Sequence, residues 1–85
     1  MGEYSKAVEL YEKALELGQK SLPSNHPDLA ATYNNIGKAY SSMGEFLKAF
    51  SFYERAVEIG QISLSQNHPV LQYYQEQLTE IRQKI

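Results

Sequence analysis

An all-α chain of four helices, joined as antiparallel hairpins of a helical repeat, is predicted by three observations. Apolar and small residues recur at i, i+3, i+4 and i+7 through nearly the whole chain, the period of an amphipathic helix. Each run stops at a short break containing proline or glycine. The chain also repeats itself: at an offset of 42 residues, MGEYSKAVELYEKALELGQKSLPSNHPDL lies over MGEFLKAFSFYERAVEIGQISLSQNHPVL, with 17 of 29 positions identical. The likeness then ends abruptly, since the 13 residues AATYNNIGKAYSS and QYYQEQLTEIRQK share no identity. Such decay fits a terminal repeat whose outer side meets water.

The first helix is expected over 3–22, where Tyr4, Ala7, Val8, Tyr11, Ala14, Leu15 and Gly18 form one side. Pro23 and the polar Ser24-Asn25 end it, because proline lacks a donor and constrains the residue before it. His26-Pro27-Asp28 reads as a helix start, with proline at the first position and an acid at the positive end of the dipole. That second helix runs from Pro27 to Ser42 or Met43, and Gly44 breaks it. Residues 45–65 repeat the first helix, with Phe46, Ala49, Phe50, Tyr53, Ala56 and Val57 on the apolar side. Asn67-His68-Pro69 restarts the chain, and 69–84 keeps only Leu71, Tyr74, Leu78 and Ile81 against a polar remainder.

Composition excludes several classes of function. Eighty-five residues make one small domain, too little to bury a large active site with its supporting shell. A net charge of −2 with mixed signs offers no basic face to nucleic acid and no polybasic cluster to a membrane. The absence of cysteine removes disulfides and thiolate metal sites and leaves the compartment open, the cytoplasm being the default. His26 and His68 are the only imidazoles and fit helix starts at least as well as metal ligation. No nucleophile and base stand in a recognisable spacing, and no glycine cluster could cradle a phosphate. Neither an enzyme nor a cofactor is expected. Gly18 and Gly60, inside long helices, point to close backbone packing, and the tyrosines to core or boundary packing.

In the central stretch, Tyr33, Ile36-Gly37 and Tyr40 on one helix, followed by Gly44, Phe46, Ala49, Tyr53 and Ala56, form a pattern of small and large residues at fixed offsets. This pattern resembles the tetratricopeptide repeat. The period of 42 exceeds the usual length of about 34; with Asn34-Asn35 and the His-Pro starts it is similar to the long-repeat class of kinesin light chains. The resemblance implies the order B-A-B-A′. Residues 3–22 would be the second helix of a partial repeat, 27–65 a complete hairpin, and 69–84 a degenerate polar capping helix. It also implies a concave groove lined by the first helices and binding a peptide or protein segment, with Asn34 and Lys38 as groove residues and Ala31, Ser41 and Asn35 beside them. The alternative is a solvated polar face with Asn35 bonded within the array. The lysine and asparagine positions of the family's carboxylate clamp hold Asn34 and Lys38 here, so that partner class is not implied.

On that register the first helix lacks a partner for its Tyr4, Ala7, Tyr11 and Ala14 side. Bare apolar surface of this kind suits self-association, as a domain-swapped or stacked oligomer. The expected function is thus a non-catalytic protein-interaction scaffold, with self-assembly as the alternative.

Overall fold

The computed structural model describes the backbone of residues 2–21 and 26–85, and the side chains of 3–17 and 26–85. Four helices follow in chain order: α1 (Gly2–Ser21), α2 (Pro27–Ser42), α3 (Phe46–Ser63) and α4 (Pro69–Arg82). The expected stop at Pro23-Ser24-Asn25 lies outside the described residues. Each helix packs chiefly on its chain neighbour, α2 with α3 most extensively. The result is a slab of 35 × 31 × 16 Å, two helix layers thick.

The helix ends follow from local chemistry. Pro27 and Pro69 open α2 and α4, where the missing N–H would have no intrahelical partner anyway. The preceding His26 and His68 act as N-caps: each Nδ1 accepts a backbone N–H, from Asp28 and from Val70, at 3.1 Å. At the hairpin, Gly44 takes φ +80°, the left-handed region that favours glycine. The Gly44 N–H then reaches the Ser41 carbonyl at 3.0 Å and the Glu45 N–H the Tyr40 carbonyl at 2.9 Å, satisfying the last carbonyls of α2.

The core sits between α2, α3 and α4. Leu29, Ala30, Ala56, Val57, Ile59 and Tyr74 make one cluster, and Ala49, Tyr53 and Ile81 a second. Small residues set the spacing at both crossings. A Cβ on Gly37 would stand 2.7 Å from Tyr53 Cδ1, and one on Gly60 3.0 Å from Leu71 Cδ1. Close approach therefore accounts for both glycines; the side chain position of Gly18 lies outside the described residues.

Candidate functional site

Tyr4, Ala7 and Tyr11 make one stripe of α1, and Asn35, Lys38, Ala39 and Ser42 one stripe of α2, because residues three and four apart share a helix face. The two stripes face each other across a cleft of about 240 Å³. Its walls are two phenol rings and two alanines, and its rim an amide, an ammonium and a hydroxyl. Asn35, Lys38 and Ser42 are exposed, while Ala7 and Tyr11 are half-buried.

Beside the cleft α1 is held to α2 by the buried Val8 and by a hydrogen bond that the Tyr40 hydroxyl donates to Glu12 Oε1 at 3.3 Å. Burial first, then the Glu12 carboxylate, raises the Tyr40 pKa, which keeps the phenol a donor. On the other side the Lys38 ammonium lies 5.9 Å from the centroid of the Tyr73 ring of α4, within range of a weak cation–π attraction. Lys38 thus spans from the cleft to the next helix pair.

The structure separates the residues expected to line a groove. Asn35 and Lys38 are on the cleft; Ala31 is exposed but does not line it. Asn34 is not on an open surface, as a groove residue would be: it is 2% exposed, and its Oδ1 is buried without a hydrogen-bond partner among the described residues. One turn away on the same stripe, Ala30 shares a cluster with Tyr74 and Lys38 meets Tyr73, so the aromatic pair of α4 closes over this part of α2. Ser41 is half-buried, and its hydroxyl acts on the Tyr53 phenol. Tyr53 itself is 3% exposed. Burial, with Tyr73 and Glu80 nearby, pushes its pKa up to about 12, the Ser41 contact acting the other way.

Of the residues expected to self-associate, Tyr4, Ala7 and Tyr11 line this same cleft, and Ala14 is exposed further along α1. Ala39 was not singled out by sequence reasoning, although its place four residues after Asn35 puts it on the same stripe. Among the described residues no group of three or more His, Cys, Asp or Glu side chains could hold a metal ion. No described helix is long and apolar enough to cross a membrane.

A family model described as tetratricopeptide repeat matches residues 1–61. Among solved structures, the chain is similar to the nearly identical tetratricopeptide-like repeats assigned to a kinesin light chain of Podosopora anserina. The TM-score is 0.87 and the identity 30%, over 98% of this chain and 39% of that one. No curated protein matches. The chain spans about two-fifths of the structure it resembles.

Proposed function

Because the chain belongs to the tetratricopeptide repeat family, whose members are in general protein-interaction scaffolds, we propose that it is a non-catalytic scaffold holding a segment of another protein in the α1–α2 cleft. The observation that carries this reading is the meeting of Asn35 and Lys38 with Tyr4, Ala7 and Tyr11 around one concavity. An apolar floor supplies burial, and the amide and ammonium supply direction. Asn34, 2% exposed, takes no part in this surface.

A peptide display library screened against the chain tests the proposal. Peptides recovered on wild type should lose binding to the Asn35→Ala, Lys38→Glu double variant and keep it on Ala31→Glu, whose exposed site is off the cleft. Equal binding to all three would remove the cleft from the reading.

A second reading, self-association through α1, is favoured by the exposure of Tyr4 (43%) and Leu10 (66%) on that helix. Light scattering over a wide concentration range decides it, and a strict monomer would eliminate it.

A further inference from the structure

The two histidines hold equivalent places at the 42-residue offset and cap their helices in the same way, yet what stands beside each ring differs. Each Nδ1 accepts a backbone N–H at 3.1 Å, His26 from Asp28 and His68 from Val70. The bond needs the Nδ1 lone pair, so the ring that makes it is neutral and carries its hydrogen on Nε2. A second proton takes up that lone pair and sets a donor against a donor. It also places a positive charge at the positive end of the helix dipole. Both effects oppose the cap as the pH falls through the range in which imidazoles gain a proton, about pH 8 to about pH 5.

At α2 a carboxylate stands by, with Asp28 Oδ2 3.8 Å from His26 Nδ1. It is an opposite charge that attracts the ring once the cap bond is gone. At α4 the matching residue is Val70. Between Glu58 and Glu76 the only titratable side chains are His68, Tyr73 and Tyr74. From α3, on which α4 packs, Arg55 and Glu58 close on each other at 3.1 Å. From α2 comes the Lys38 ammonium, at the Tyr73 ring. Among the described residues no carboxylate pairs with the His68 imidazole.

The turn that His68 caps is otherwise lightly held. Pro69, Val70, Gln72 and Tyr73 are exposed, and Leu71 alone is buried ahead of Tyr74. Tyr73 closes this stretch, with Lys38 of α2 5.9 Å from its ring centroid. We propose that His68 is a proton-operated latch: its neutral ring fastens the first turn of α4, and on protonation that turn opens and the contact between Tyr73 and Lys38 loosens. The equivalent cap on α2, with Asp28 beside it, responds less.

Amide exchange followed by NMR on the intact chain tests this, expressed as protection factors so that the intrinsic pH dependence of exchange cancels. From about pH 7.5 to about pH 5 the protection of the Val70 N–H should fall by about fivefold, the equivalent of one N-cap bond. That of the Asp28 N–H should fall less, and the Lys38 side-chain resonances should lose the shift imposed by the Tyr73 ring. His68→Asn supplies a cap that does not titrate and should abolish both changes at α4. Val70→Asp, at an exposed position, should bring the response of α4 down to that of α2, and Asp28→Val should raise that of α2; circular dichroism verifies that each variant folds. Val70 protection that stays flat with pH, a fall that His68→Asn shares, or Lys38 resonances that do not follow it overturns the latch. So does an equal response at Asp28 and Val70 in the wild type.

Discussion

Gly37 and Tyr53 are in direct backbone-to-ring contact: the space a methyl group would need at Gly37 is taken by the Tyr53 ring, 2.7 Å from the Cβ position. The ring cannot swing out, being 3% exposed and packed with Ala49 and Ile81. Gly37→Ala gains about 1 kcal/mol of helix propensity but overpacks the crossing by about 1–3 kcal/mol. A net loss of stability is expected in urea melts, and Ala49→Leu, filling the same crossing, should also destabilise. A raised midpoint for Gly37→Ala would show the crossing to be loose.

Gly44 presents the opposite case, a glycine needed for its backbone rather than for space. Nothing lies within 4 Å of its Cβ position, yet its φ is +80°. Gly44→Ala should cost about 1–2 kcal/mol from the left-handed conformation, and Gly44→Asn less, since asparagine tolerates that region better. Thermal melts that rank the two variants equally would contradict this origin.

His68 caps α4 by accepting the backbone N–H of Val70 at Nδ1. His68→Ala should lower stability by about 1 kcal/mol, the usual effect of losing an N-cap acceptor, and His68→Asn should restore most of it. If alanine and asparagine behave alike in chemical denaturation, the imidazole contributes by packing instead.

The phenol of Tyr53 gives an alkaline signature. Its pKa is raised to about 12 in the fold, first by burial, against about 10 in an unfolded chain. The folded state thus favours the protonated form. The stabilisation is fully present below about pH 10 and is lost as the pH climbs towards about 12, amounting to about 2–3 kcal/mol. Tyr53→Phe should flatten the decline of stability over that window relative to wild type. Parallel declines would assign it to other groups.

Much of this architecture was legible in the sequence because helices declare themselves locally. The spacing of Leu29, Ile36 and Tyr40, the prolines after His26 and His68, and Gly44 act within a turn or two of chain. Asn34 shows where legibility stops. Its polar side chain is 2% exposed on a face that a helical wheel assigns as open, and its neighbours one turn away on that face, Ala30 and Lys38, meet Tyr74 and Tyr73 of α4, some forty residues later. Ser41 is half-buried for a similar reason, the Tyr53 phenol near it belonging to another helix. The cleft was half visible: Asn35, Lys38, Tyr4, Ala7 and Tyr11 were all singled out, but as two separate surfaces, since periodicity ranks faces without saying which two meet.

Contacts that run chiefly between chain neighbours also fix how the molecule breathes. Among the described residues no other helix pair has contacts comparable to those between successive helices, so α1 can detach by giving up its α2 face and α4 by giving up its α3 face. The α2–α3 hairpin must lose both neighbours or come apart as a unit. Amide exchange should therefore be graded along the sequence, slowest across Ile36 to Ala56 and faster toward both ends, as in a zipper with two free tips.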